Sequence, residues 1–185
     1  MAMPAPTTEW TLEMLHALPD DGKRYELVDG ELLVSPTPSP AHQRVSFELA
    51  QVLAPWARQH GLEVCIAPFA ITFSPRRGLQ PDIFVVPLVE GRRPQAPQEF
   101  ARLVLAIEVL SPSTARYDRV VKRPVYLEQG VAEYWIVDPD SRTVERWWRG
   151  QGRPEVLDTT LGCTPPGGPA ALEIDLVEMF HRALD

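Results

Sequence analysis

The chain of 185 residues has no asparagine, two cysteines and two lysines, and each scarcity closes off a class of explanation. Cys65 and Cys163 stand far apart in no ligand-like spacing. They are therefore expected to be small buried thiols of a reducing cytoplasm, not a disulfide framework or a zinc site. No hydrophobic run approaches the ~20 residues of a membrane span. The opening "MAMPAPTTEW" has neither a basic region nor a hydrophobic segment, so no secretory leader and a cytoplasmic location are expected. Positive charge is also short. The net charge is −7, whereas a protein that grips nucleic acid over a broad surface is usually basic, so phosphate would have to be met by a local cluster or a metal. No G-x-S-x-G or H-E-x-x-H pattern occurs, and "GQG" at 150–152 precedes no helix.

What remains is an ordinary globular composition, 44% hydrophobic and 23% charged, expected to fold as a single domain over residues 1–185. Residues 8–18 read as a short helix with Thr7 or Thr8 as cap, and "RYELVDGELLVSP" as a hairpin turning at Asp29-Gly30. Ser39 and Pro40 open a helix that ends at Gly61 and buries Val45, Leu49, Val52, Leu53 and Trp56. Strands are expected at about 63–66 and 69–73, in "QPDIFVVP", in "RLVLAIEVLS", and in "AEYWIVD" with "TVERWWR". A helix from about Thr114 to Gln129 links two of these in a βαβ unit, with Pro124 expected to bend it by removing the bond near Val120. Residues 150–169 read as loop, "TPPGGP" least ordered, before a final helix capped by Asp175. The expected fold is mixed α/β, with a mixed sheet flanked by helices behind an N-terminal helix and hairpin.

Within this pattern Glu108 is out of place, because Leu103, Val104, Leu105, Ala106, Ile107, Val109 and Leu110 surround it in a strand apolar on both faces. A lone carboxylate there costs several kcal/mol unless it is neutralised, paired or bound to a metal. Asp82 opens another buried strand. If the two strands are antiparallel neighbours, the carboxylates face each other about 5 Å apart. Repulsion at that distance would force a proton onto one of them, and a divalent cation such as Mg2+ resolves the conflict. Counting along the following helix brings Lys122 back level with Glu108, one layer above the sheet. Two carboxylates, a cation and an ammonium are the parts of a phosphodiester-cleaving site.

"PDIFVV", "LAIEVLSPST", "YDRVVKRPVY" and "GVAEYWIVDP" resemble the Uma-type proteins, restriction-endonuclease-like members of the PD-(D/E)xK nuclease superfamily. The resemblance runs from "YELVDGELL" through "ERWW". It implies a mixed four-stranded core sheet, a metal-dependent DNA endonuclease using Mg2+ or Mn2+, Asp82 and Glu108 as ligands with the Val109 carbonyl, and Glu26 as a further acidic member. His42 and Gln80 are candidate accessory residues. The superfamily lysine stands two residues after the glutamate, where this chain has Leu110; the Uma-type lysine lies on the next helix, and Lys122 matches it.

Plainer readings accompany these. Glu108 would pair with Arg119, Lys122 with Asp118 on a helix surface, and Arg116, Arg119 and Arg123 would form a solvated or phosphate-gripping stripe. At most one of Trp147 and Trp148 would join any one surface, in a core or subunit contact, and a homodimer is open on that ground. The alternative function is a silent nucleic-acid-binding or assembly module that keeps the fold. A metal-free two-carboxylate glycosidase is a third class, with no sugar-stacking arrangement in the sequence to support it.

Overall fold

The structure is a computed structural model and describes residues 9–164 and 171–185. It opens with a short helix, α1 (Leu12–His16), whose cap is Thr11; the Thr11 hydroxyl accepts from the Met14 amide. The expected caps, Thr7 and Thr8, lie outside the described residues. The hairpin strands are β1 (Arg24–Val28) and β2 (Glu31–Ser35), and Asp29 and Gly30 both take positive φ between them, as a type I′ turn requires. The long helix α2 (Pro40–Gln59) follows, capped by Ser39.

The strands β3 (Leu62–Ile66), β4 (Ile71–Ser74), β5 (Arg77–Leu79), β6 (Ile83–Pro87) and β7 (Leu105–Val109) come next, a short 3-10 turn at Pro97–Ala101 lying between the last two. Beyond β7 the chain enters a π-helical turn, Tyr117–Lys122, which runs straight into α3 (Arg123–Glu128). The remaining elements are β8 (Glu133–Asp138), β9 (Thr143–Trp148), β10 (Glu155–Leu157), β11 (Thr160–Cys163), β12 (Leu172–Asp175) and α4 (Leu176–Leu184). The loop-heavy stretch expected over 150–169 also contributes two short strands, β10 and β11, while most of "TPPGGP" lies outside the described residues. Strands of three or four residues carry too few alternations to be recognised from a pattern.

Six strands form the central sheet in the order β10-β9-β8-β7-β6-β3, so the four-stranded core is extended at both edges. Only the pair β7–β8 is parallel, joined by the π turn and α3 as the expected βαβ crossover. One face of the sheet packs on α2 and α4 through Leu49, Leu53, Ile83, Ile107, Trp135 and Phe180. The other face packs under α3 and a second sheet, β2-β1-β5-β4, through Ile71, Phe84, Ala106, Tyr126, Tyr134 and Ile136. Gly78 in β5 marks where α1 seats on this second sheet, because a side chain there would meet the Leu12 methyl group at 2.5 Å.

Pro124 acts differently from expectation. Lacking an amide hydrogen, it cannot close the usual helical bond, and the turn before it widens so that the Arg123 amide donates to the Asp118 carbonyl five residues back. A π-helical turn therefore replaces a plain bend. It inserts one extra residue per turn just where Lys122 must be aimed.

The layering is tested on α2. Leu49 is fully buried and Phe47 is 63% exposed on the same helix. In urea unfolding, Leu49→Ala is expected to cost about 3 kcal/mol and Phe47→Ala about 0.5 kcal/mol or less.

Candidate active site

The register of the central sheet decides where the acidic residues meet. β6 and β7 are antiparallel with Ile83 opposite Ile107, so one step further places Asp82 opposite Glu108. Ile107 and Val109 point to the α2 and α4 face and Ala106 and Leu110 to the other. Glu108 therefore points, with strand alternation, toward β1 and α3. Asp82, two positions before Phe84 on that face, lies at the end of the sheet, where Arg24 of β1 and His42 of α2 both reach it. Both carboxyl groups are buried, Glu108 completely.

From above the sheet comes Lys122, at the end of the π turn and itself 1% exposed. Its Nζ lies 2.8 Å from Glu26 Oε2, 3.1 Å from Asp118 Oδ1 and 3.3 Å from Glu108 Oε1. The Asp118 pair expected on a helix surface does form, but in the interior, where it is one of three anchors for a single ammonium. Burial alone would disfavour the charge on Lys122, and Glu108, Glu26 and Asp118 reverse this and raise its pKa above the ordinary lysine value. Tyr126, on α3, donates its hydroxyl to the same Glu108 Oε1 at 3.0 Å. Tyr134, from β8, holds the Asp118 carbonyl at 3.1 Å.

Asp82 is gripped from two directions. Its Oδ2 accepts from the Val109 amide at 2.8 Å and contacts His42 Nε2 at 3.0 Å. Its Oδ1 accepts from Arg24 Nη1 at 2.6 Å. His42 is set by α2, whose first turn it occupies, its amide donating to the Ser39 cap. Burial would push Asp82 up, but the His42 bond and the Arg24 charge more than offset that and bring it to about 2. Glu26 accepts from the Gln80 amide at 2.8 Å through Oε1. The Gln80 side chain turns to the Tyr25 carbonyl at 3.0 Å, and so braces the hairpin against the strand that delivers Asp82.

All seven residues singled out from the sequence, Glu26, His42, Gln80, Asp82, Glu108, Val109 and Lys122, thus lie in one continuous network, Val109 joining it through its amide and not through the carbonyl expected to bind a metal. Sequence reasoning missed Arg24 and Tyr126. The signals were present: Arg24 stands two positions before Glu26 and so on the same face of β1, and Tyr126 stands one helical turn after Lys122. The plainer pairing of Glu108 with Arg119 is corrected, since Arg119 reaches Glu145 at 2.6 Å on β9 instead. Arg123 stacks over Trp147 at 4.1 Å, which removes it from the supposed phosphate stripe. Both cysteines are free, and burial raises Cys65 to about 11 and Cys163 to about 12, so neither is a nucleophile at neutral pH.

The charge balance of the network is unequal. Four carboxyl groups, Glu26, Asp82, Glu108 and Asp118, face two permanent cations, Arg24 and Lys122. Burial pushes Glu108 well above the usual carboxylate range, with Lys122 opposing and the neighbouring acids adding to the rise. Its Oε2 is buried without a hydrogen-bond partner. An excess of hard oxygen donors, of which Glu26 Oε2 and Asp118 Oδ1 also lack a hydrogen bond, is the donor set that Mg2+ or Mn2+ prefers, and so the residues fit such an ion. No group of three His, Cys, Asp or Glu side chains is already gathered round one metal position among the described residues. Arg24 occupies the intervening space.

The network opens to solvent at a cleft. This cleft, of about 440 Å3, is lined by Arg24, His42, Gln80 and Asp82 at its floor and by Phe47 and Ile66 toward solvent. Phe47 and Ile66 are among the exposed large apolar side chains of the described residues. No described helix is long and apolar enough to cross a membrane.

The low pKa of Asp82 has a consequence for stability. A carboxyl depressed in the folded state stabilises the fold above its unfolded pKa, and that contribution fades as pH falls through the folded value. Asp82→Asn is therefore expected to lower stability by about 2 kcal/mol at pH 5 to 6. The gap between it and the wild type should close as the pH approaches 2, as followed by denaturant unfolding across that range.

Two comparisons bear on this arrangement. The model of the Uma2 family, described as "Putative restriction endonuclease", matches residues 12–176. No protein of curated function matches the chain. Among solved structures, the chain is similar to a protein from Anabaena variabilis described as "a putative nuclease belonging to DUF820", with a TM-score of 0.74 at 23% sequence identity. The match covers 95% of this chain and 99% of that one, and it shows a common fold. With the family model spanning every element that builds the buried network, from α1 to the start of α4, the chain belongs to the Uma2 family of restriction-endonuclease-like proteins.

Proposed function

We propose that this protein is a metal-dependent DNA endonuclease that hydrolyses phosphodiester bonds, with Asp82, Glu108 and the main-chain carbonyl of Val109 as the ligands of Mg2+ or Mn2+. The observation that carries this reading is the placement of Lys122, whose ammonium reaches Glu108 at 3.3 Å from a separate helical turn. A carboxylate pair on adjacent strands with a buried ammonium beside it answers the needs of phosphoryl transfer, namely anchoring for a cation and stabilisation of developing negative charge.

Each protein group has a separable part. Lys122 keeps its proton, because three acids surround it, and so acts as a fixed positive charge and donor and not as a base. Glu26 holds that ammonium in place while the Gln80 amide holds Glu26. Tyr126 and Lys122 both engage Glu108 Oε1, so Oε2 would be the oxygen that holds a divalent cation. The Val109 amide and His42 fix Asp82 Oδ2, and Oδ1, which accepts from Arg24, would be the second. A bound divalent cation would supply a water of lowered pKa and shield the phosphate charge. In the overall reaction water oxygen bonds to phosphorus, the phosphorus–ester oxygen bond breaks, and the departing oxygen takes a proton. Substrate would enter by the cleft, which reaches Asp82, His42 and Arg24 from solvent.

A second reading has its own motive. The net charge of −7 and the guanidinium among the carboxylates suit a silent nucleic-acid-binding or assembly module that keeps the fold. The two readings part in a supercoiled-plasmid nicking assay with Mg2+ or Mn2+. The wild type is expected to nick, with Glu108→Ala and Lys122→Met each at least roughly 100-fold slower, while circular dichroism checks that the variants are folded. Nicking that continues undiminished in Glu108→Ala would sink the proposed site, and no metal-dependent nicking by the wild type would favour the silent module.

A further inference from the structure

The two cations of the network are not equivalent. Lys122 and Tyr126 engage Glu108 Oε1, and His42 and the Val109 amide engage Asp82 Oδ2. The other oxygen of each carboxylate turns toward the same side chain, Arg24. Its Nη1 is 2.6 Å from Asp82 Oδ1 and its Nη2 is 3.9 Å from Glu108 Oε2, with Nε 3.6 Å from Glu26 Oε2. The second of these distances is too long for a hydrogen bond, which is why Glu108 Oε2 stays unpartnered. An ion such as Mg2+ takes oxygen ligands at about 2.1 Å, so one shared by Asp82 Oδ1 and Glu108 Oε2 would need the volume the guanidinium fills.

We propose that Arg24 is the resident counter-ion of this carboxylate pair, that it competes with the divalent cation for Asp82 and Glu108, and that it swings into the adjoining cleft when the cation binds. The inference rests on the metal-dependent reading above and adds to it the residue that must move. Lys122 has no comparable route, being 1% exposed at its side chain and tied to three acids. Arg24 is 17% exposed at its side chain and lines the floor of the 440 Å3 cleft, and so has somewhere to go. Lys122 lies on Glu108 Oε1, whereas Arg24 lies on Asp82 Oδ1 and nearest Glu108 Oε2, the two oxygens a shared ion would use; both cations approach Glu26 Oε2. The displaced guanidinium would present a planar pair of donors in the cleft, the arrangement that binds a phosphate in bidentate fashion.

The test is calorimetric titration of Mn2+ alone into the wild type and Arg24→Gln. Without the internal competitor, Arg24→Gln is expected to bind Mn2+ roughly 10-fold tighter or more, following the penalty for a state in which the binding-competent form is a minority. Equal or weaker binding by Arg24→Gln, with clear binding by the wild type, would overturn the role of Arg24 and leave the metal site standing. Absence of binding by both would remove the metal site itself and the competition with it. Because the variant leaves carboxylates uncompensated and can fail to fold, a second measurement uses the unaltered protein. In a 15N-labelled sample the Arg24 Nε–Hε resonance, assigned through its bonded neighbours, should exchange slowly with water and then move and exchange faster as Mg2+ saturates the protein. A resonance unmoved at saturation would overturn the displacement.

Discussion

One buried ammonium organises this molecule's interior. Lys122 draws Glu26 from the hairpin, Glu108 from the central sheet and Asp118 from its own π turn to within 2.8 to 3.3 Å. Three layers of chain are thereby tied at one point. Desolvating such charges costs several kcal/mol each, and the attraction among them repays the cost only when geometry and hydrogen bonding are good. That balance explains why so many residues serve it: Tyr126, Tyr134, Gln80 and the Val109 amide each hydrogen-bond a polar atom of the cluster. A network of this kind is a costly way to make a core stable, so its presence argues for a task beyond stability.

The sheet supplies the other half of the arrangement. Antiparallel pairing of β6 and β7 sets the beginning of one strand beside the end of the next, which brings Asp82, one residue ahead of β6, to Glu108 in β7. The parallel pairing of β7 with β8 forces a crossover, and that crossover carries Lys122 back over the same strand. The two kinds of pairing have separate consequences, one gathering the acids and the other returning the ammonium. The second sheet then closes the cluster from above with Glu26 and Arg24.

Much of this was legible because it depends on patterns with short physical range. Asp29-Gly30 declares its turn, Ser39-Pro40 its helix start, and the apolar run around Glu108 its burial. Counting residues through the crossover was enough to bring Lys122 to Glu108, since strand and helix rises are fixed quantities. The π turn was not legible. Pro124 announced a disturbance of the backbone, but whether a helix answers by bending or by widening depends on what the neighbouring carbonyls can bond, and the Tyr134 hydroxyl on the Asp118 carbonyl lies outside any local window. Arg24 was missed for a related reason. Its shared strand face with Glu26 is legible, but "RYELV" does not say whether the side chain stays solvated or folds inward over acids contributed 58 and 84 residues later, as subtraction of the residue numbers gives.

The position of Leu110 shows why the lysine can be so far from the glutamate it serves. Two residues after Glu108 on the same strand, a side chain points to the same face of the sheet, so a lysine there would need only its own length to reach the acids. Here Leu110 fills that place and packs into the core beneath α3, next to Ala106, Tyr126 and Tyr134. The apolar side chain seals the layer, and the charge arrives from the helix above it. What electrostatics requires is a positive group at a point in space, and Coulomb attraction is indifferent to the backbone from which that group hangs. Moving the lysine to the crossover helix therefore preserves the charge while making its delivery conditional on the packing of that helix, which is the role the π turn before Pro124 fulfils.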